Sequence, residues 1–359
     1  MRVTLGCLLT CSVVRIAAAQ DTTITFEEPH AVSVSGFAVG TYDWDRNARA
    51  NSFAGSKIAL SLFRPWSDYL YLFGQLTTSL ATDGTTGEPV TETEIDNLLV
   101  SWSPPGATSW NFTFGRFDAP LGFERDDEPL NLIPTNSFNF ELARPVKLTG
   151  ALARYAVSPR ITAAAYVANG WNVAVDDNRG KTAGVRVDLF PAEGVAVGLN
   201  ALYGPEVAGT DAQQRTLLAA DATLQPDPRL IVGVEANYGR QLLGGGATGT
   251  WTGLSATAFW RLQRSFGLTL RAETLHDADG VASGTAQTLQ SLTISPWYFY
   301  REAAEGIFSS IEHTTFRLPA FALRPALRID HSDQPVFPTA NGGLRDTNVR
   351  GIVELVYLF

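Results

Sequence analysis

Segments of about ten residues, in which apolar and polar side chains alternate, recur along almost the whole chain. In 266–274, Phe266, Leu268, Leu270 and Ala272 share one parity, and Thr269, Arg271 and Glu273 share the other. In 321–330, Phe321, Leu323, Leu327 and Ile329 oppose Arg324, Arg328 and Asp330. In 185–189, Val185, Val187 and Leu189 oppose Arg186 and Asp188. Successive side chains of an extended chain point to opposite faces, so each segment reads as an amphipathic strand. About sixteen such segments run from 31–44 to 346–359, punctuated by turn-forming residues. About ten residues is also the length a tilted strand needs to cross a bilayer. A transmembrane helix is excluded, because no stretch of about eighteen consecutive apolar residues occurs.

A soluble sandwich would alternate too, but it would need two apolar faces packed on each other. Here the apolar faces are rich in small and medium residues, with few bulky ones to interlock. The opposite faces carry charges of both signs, which suits walls that face one another across water. Only 18% of residues are charged, against about 25% in ordinary soluble domains. The expected fold is therefore all-β: a transmembrane, antiparallel up-and-down β-barrel of about sixteen strands.

The connections point the same way. Short ones, such as 64–68, 158–160, 190–194, 225–229 and 263–265, alternate with longer ones, such as 82–92, 119–145, 205–214 and 332–345. Membrane barrels have short periplasmic turns and longer extracellular loops. One segment breaks the pattern: 300–319 should be a short turn and is long, so it folds inward or hides another strand pair.

All eight tryptophans fall at or near the ends of these segments, where an aromatic girdle would meet the membrane interface. Trp251 and Trp260 bracket one strand. Nine steps of about 3.3 Å, tilted about 40°, span roughly 23 Å, close to the apolar band of about 25 Å. Their parities differ, so a bulge intervenes or one ring faces the lumen.

The chain ends inside a strand. Val353, Leu355, Tyr357 and Phe359 share an apolar face opposite Arg350, Ile352, Glu354, Val356 and Leu358. A closed barrel explains this, since its last strand must pair with its first. At the other end, Arg2, the apolar run Val3 to Ile16 and Ala17-Ala18-Ala19 read as a signal peptide over 1–19, leaving 20–359 as the barrel. Cys7 and Cys11 would leave with it, so no disulfide or thiol chemistry is expected afterwards. The formal charge of −9 becomes two units more negative when Arg2 and Arg15 are lost, which argues against nucleic-acid binding.

The stretches "FGRFDAPLGFE" (Phe114–Glu124), "LRAETLHDADG" (Leu270–Gly280) and "LRPALRIDHS" (Leu323–Ser332) resemble recurring segments of the OmpL-like β-barrel porins. The last has Ala326 where an acidic residue is commoner in that group. The resemblance runs from about residue 30 to the end. It implies a porin of the Gram-negative outer membrane that passes ions and small hydrophilic solutes by diffusion, with no cofactor. It also implies outer-membrane lipid and lipopolysaccharide as surroundings, and a homotrimer by analogy. Tyr357 and the terminal Phe359 look like the C-terminal signal read by barrel-assembly machinery.

Sixteen strands leave room for an aqueous channel, whereas about eight would not. The expected lumen residues are Arg116, Arg186, Asp188, Glu235, Arg271, Glu273, Arg324, Arg328, Asp330, Arg350 and Glu354, with Arg261 and Asp221 beside them. Charged rings tune which ions enter a pore; equally, such residues can pair across neighbouring strands and stiffen the wall. Arg116 shares the parity of Phe112 and Phe114, so a bulge must turn it if it lines the pore. The connection 119–145, after Asp118, holds Glu124, Asp126, Asp127 and Glu128 and then "PLNLIPTNSFNFEL". We expect it to fold inward as a constriction; an outward acidic loop is the alternative.

Enzymatic readings are poor. His30, His276, His313 and His331 are scattered, with no nucleophile fixed beside them. "GGGATG" (Gly244–Gly249) has nucleotide-loop spacing but precedes a strand rather than a helix. "VDDN" (Val175–Asn178) and "RDDE" (Arg125–Glu128) read better as solvated acids than as a metal site. Two alternatives to a porin stay open: an adhesin or surface scaffold, and a membrane-embedded lipid hydrolase.

Overall fold

The computed structural model describes residues 31–82, 89–303 and 310–359. The expected leader at 1–19, with Cys7 and Cys11, and His30 lie outside the described residues, as do positions 304–309 of the long insertion.

Among the described residues, sixteen strands close one antiparallel barrel in which each strand pairs with its sequence neighbours. The first six are β1 (Ser33–Asp45), β2 (Ala50–Ser67), β3 (Leu70–Thr82), β4 (Pro89–Trp102), β5 (Trp110–Asp118) and β6 (Lys147–Ser158). Then follow β7 (Ile161–Ala168), β8 (Thr182–Ala192), β9 (Val195–Pro205), β10 (Gln214–Asp227) and β11 (Leu230–Leu242). The barrel ends with β12 (Thr248–Gln263), β13 (Phe266–Asp277), β14 (Gln287–Glu302), β15 (Pro319–Ser332) and β18 (Thr347–Leu358). Two-residue strands β16 (Phe337–Pro338) and β17 (Leu344–Arg345) form a small ribbon in the last loop, which periodicity had not indicated.

The C-terminal strand closes the ring. β18 pairs with β1 from Phe37 opposite Leu358 to Asp45 opposite Arg350. Phe359 N–H donates to the Gly36 carbonyl at 3.0 Å, and Gly36 N–H donates back to Phe359 at 2.8 Å. No edge remains there to present unpaired peptide groups to lipid.

The faces follow parity, with the apolar side outward. Leu270 is 46% exposed while its neighbour Arg271 is 1% exposed. This inverts a soluble sheet: lipid satisfies the outer alkyl groups, and the charges are withdrawn to an interior where they can pair. Trp44, Trp66, Trp102, Trp110 and Trp260 are exposed on the outside. Trp251 and Trp297 point inward and are buried, so they are not girdle residues. No bulge separates Trp251 from Trp260; the ring of Trp251 faces the interior, and its parity alone accounts for the difference.

The interior is partly filled. Phe259, Trp297, Phe299 and Phe316 pack in one inner cluster; Phe73, Phe117, Leu121 and Leu148 anchor another. These side chains belong to wall strands and to two inward-folding segments, 119–146 and 310–318.

Candidate functional site

The connection from β5 to β6 enters the barrel beneath a single lysine. Lys147 Nζ lies 2.5 Å from Asp118, 2.8 Å from Asp96 and 3.2 Å from Asp126. Asp96 faces inward because β4 carries a bulge there: Gln75 pairs with Asn97 and Leu76 with Ile95, leaving Asp96 without a partner on β3. The next acids reach β3 and β2. Asp127 accepts from Gln75 Nε2 at 2.7 Å, and Glu128 lies 2.9 Å from Lys57 Nζ. Burial pushes Asp127 well above the usual carboxylate range. Asp126 is also raised by burial, but the charges of Lys147 and Lys57 outweigh that and hold it below its usual value.

Beyond Asp118 the loop crosses toward β10 and β11. Gly122 N–H donates to Asp221 at 3.1 Å and Phe123 N–H to Glu235 at 2.9 Å. Glu235 also meets Arg144 Nε at 2.7 Å. Asp221 takes Arg186 Nη1 at 2.7 Å, and Arg186 Nε reaches Asp188 at 2.7 Å. The wall is recessed to admit the loop. A Cβ at Gly233 would lie 2.3 Å from the Phe123 ring, and one at Gly253 would lie 1.7 Å from Asn139 Oδ1.

The centre of the loop is held by Glu124 and Arg271. Their side chains meet at 2.6 Å, and Glu124 also accepts from Ser137 N–H at 2.9 Å. Arg271 caps the carbonyls of Thr135 and Asn136, and Glu273 accepts Phe138 N–H at 2.6 Å. Arg324 pairs with Glu354, donates to Asn131 O at 2.6 Å and lies over the Trp297 ring. Arg328 pairs with Asp330 at 2.6 Å and caps Asn136 O. Trp297 and Trp251 donate their indole N–H groups to Leu132 O and Ala143 O, each at 3.0 Å. A buried loop must satisfy its peptide groups somehow, and here the wall side chains do it.

The described part of the next inward connection, 310–318, packs on the wall from the short-turn end. Phe316 packs on Phe259 and Phe299, with Arg261 over its ring. Glu312 pairs with Arg125, so the two inward connections meet. Burial raises Glu312, but Arg125 and His313 outweigh it and hold its carboxyl down at about 2.

Several expected positions behave differently from their neighbours. Arg116 is corrected: it stays on the outer parity, paired with Thr149 and Leu98, and its Nε donates to Asp96 O at 3.2 Å. The bulge lies in β4 rather than β5, so nothing turns Arg116 inward. Arg350 alone among the expected lumen arginines is widely open, 45% exposed and 3.0 Å from Asp330. Tyr357 and Phe359 lie on the outer face with rings 6.0 Å apart.

Sequence reasoning missed Lys57, Asp96, Arg144, Lys147 and Glu312. Lys57 was readable, since it shares parity with Ala59 and Ser61 against Ile58, Leu60 and Leu62. Asp96 was hidden by its bulge, and Arg144 and Glu312 sit in connections without periodicity. Inward parity also places Glu92 and Glu94 opposite Ser79 and Thr77, both exposed and paired with no cation among the described residues.

Comparison with solved structures identifies the same architecture at low identity. The anion-selective porin from Comamonas acidovorans matches with a TM-score of 0.63 and 11% identity, covering 92% of this chain and 100% of that one. The outer membrane channel DcaP of Acinetobacter baumannii matches at 0.62 and 12% identity, covering 94% and 99%. In-vitro folded OmpT of Vibrio cholerae, in a trimer form, matches at 0.60 and 10%, covering 92% and 100%. Among curated protein sequences, none matches the chain. The sequence profile of the family described as "Putative beta-barrel porin-2, OmpL-like" matches residues 70–359, well over half of the length, and the chain belongs to that family of outer-membrane β-barrel porins.

Proposed function

We propose that this porin passes ions and small hydrophilic solutes by passive diffusion, with 119–145 as its constriction. One observation carries the reading. That connection crosses the interior and is tied to β13 and β15 through Arg271, Arg324 and Arg328. The arginines therefore hold the loop rather than line open water. What stays exposed on the inner face of β4 is acidic, Glu92 and Glu94, with Arg350 as the open cation across on β18. Exposed acids above a narrow, low-dielectric passage favour cations. His276 and His331 lie on the outer face, 2.9 and 3.1 Å from the hydroxyls of Thr288 and Thr347, and His313 lies 3.3 Å from Glu312. Lipopolysaccharide around the barrel, assembly machinery engaging Tyr357 and Phe359, and a homotrimer like that of the similar OmpT belong to the same reading.

Planar-bilayer recording tests it. The refolded chain should give discrete conductance steps, and a salt gradient should give a reversal potential of cation-preferring sign. Glu92→Gln with Glu94→Gln should move that potential toward zero. A protein that inserts but gives no conductance contradicts the channel. Steps with an anion-preferring potential contradict only the selectivity.

A further inference from the structure

Three arginines converge at the loop end of the barrel, away from the passage. Arg46 and Arg49 come from the β1–β2 hairpin, and Arg345 comes from the ribbon between β15 and β18. With Asn47, Thr339, Asn341 and neighbouring residues they line a cavity of about 410 Å³. No carboxylate lines it, and none of the three arginines forms an ion pair among the described residues. Asp45 and Asp346, next in sequence to two of these arginines, bond to other groups. Asp45 accepts Ala48 N–H at 2.8 Å and Asn348 Nδ2 at 2.7 Å, and Asp346 accepts the Thr347 hydroxyl at 3.1 Å.

The two segments are fastened to each other. The buried Asn47 donates Nδ2 to Thr347 O at 2.7 Å and accepts Ala340 N–H at 2.9 Å; Arg46 N–H donates to Val349 O at 3.0 Å. Arg49 holds φ of 52°, in the left-handed region that turns the hairpin. The level in the membrane is set by the outer face just below. Trp44 is 41% exposed and Phe53 88%, and Tyr42 packs on Phe53 at 5.0 Å. Such rings mark the interface, so the cavity opens at headgroup depth.

We propose that Arg46, Arg49 and Arg345 bind a phosphomonoester, and that its source is a phosphorylated glycolipid headgroup of the outer leaflet. Guanidinium groups match phosphate oxygens with paired donors and remain charged at any physiological pH. Three unpaired ones around a cavity free of acids leave a positive site that no ion pair among the described residues neutralises. The inference stands independently of conduction, because the cavity is on the rim.

The test uses the full chain refolded in detergent micelles. Probes are a diphosphorylated lipid A, the same lipid with its phosphates removed, and inorganic phosphate, with the unfolding temperature and direct titration as readouts. Wild type should bind the phosphorylated lipid at least about tenfold more tightly than the dephosphorylated one. Arg46→Gln/Arg49→Gln/Arg345→Gln should abolish that preference, while Arg240→Gln, an exposed outward arginine on β11, should retain it. The single Arg345→Lys variant, which keeps the charge but loses the fork, should weaken binding and covers the case of a triple variant that fails to refold. Weak competition by inorganic phosphate supports a lipid source; inorganic phosphate binding as tightly as the lipid overturns the assignment to a headgroup. Equal binding of both lipids, or a triple variant that binds as wild type does, overturns the site.

Discussion

Arg271→Met isolates the contact that holds the constriction. Arg271 is 1% exposed and lies 2.6 Å from Glu124 and 3.5 Å from Glu273, whose side chains are themselves 4% and 0% exposed. Methionine keeps much of the volume and removes the charge, which leaves Glu124 without its ion-pair partner and Glu273 with only Arg328, at 3.4 Å. It also uncaps the carbonyls of Thr135 and Asn136. Removing one partner of a buried ion pair costs about 3–5 kcal/mol, because the remaining charge is left uncompensated. Arg350→Met is the internal control. Arg350 is 45% exposed, and its partner Asp330 keeps Arg328 at 2.6 Å, so the cost should be about 1 kcal/mol or less. Denaturant unfolding of the refolded protein in detergent reads the difference, and single-channel noise reads whether the loop has come loose. The reasoning fails if the two variants destabilise equally.

Three more expectations follow from named contacts. Gly253→Val places side-chain carbon where Asn139 now lies, so it should cost about 1–3 kcal/mol and raise single-channel conductance by displacing the loop; an unchanged conductance removes Asn139 from the constriction. Glu312 is held at about 2 against its ordinary 4.5, so its stabilising contribution is complete above about pH 4.5 and is lost only as pH falls toward 2. Conductance should therefore be flat between pH 8 and 5 in this respect, while Glu312→Gln should alter it at pH 7. Phe359→Ser with Tyr357→Ser should lower the yield of barrel assembled in cells, while refolding from urea into detergent stays close to wild type; equal yield in cells refutes a signal role for these rings.

Strands were legible because lipid outside and water or ion pairs inside impose period two on both faces. The alternation over 266–274 falls within β13, and the last strand was expected with its outward set of Val353, Leu355, Tyr357 and Phe359. Strand β7 stops at Ala168, where Gly170 (φ 150°) and Asn172 (φ 60°) turn the chain, a break that alternation alone does not mark. Partners were less legible than faces. Parity places Arg271 and Arg324 inside, yet it cannot say that their guanidinium groups cap carbonyls of a segment more than a hundred residues away. Arg116 shows the other limit. Its inward turn needed a bulge, and the bulge is one strand over, at Asp96.

Cysteine labelling during single-channel recording tests the inside-out assignment most directly, since the chain carries no cysteine beyond Cys7 and Cys11. With cysteine at position 350, a charged, water-soluble thiol reagent added to the bath should react and shift the current in discrete steps. With cysteine at 355, the same reagent should leave the current untouched, while a thiol-attached fluorophore there should be quenched by lipid-borne quenchers. Reaction at 355 with silence at 350 would put the greasy face on the water side and contradict the account.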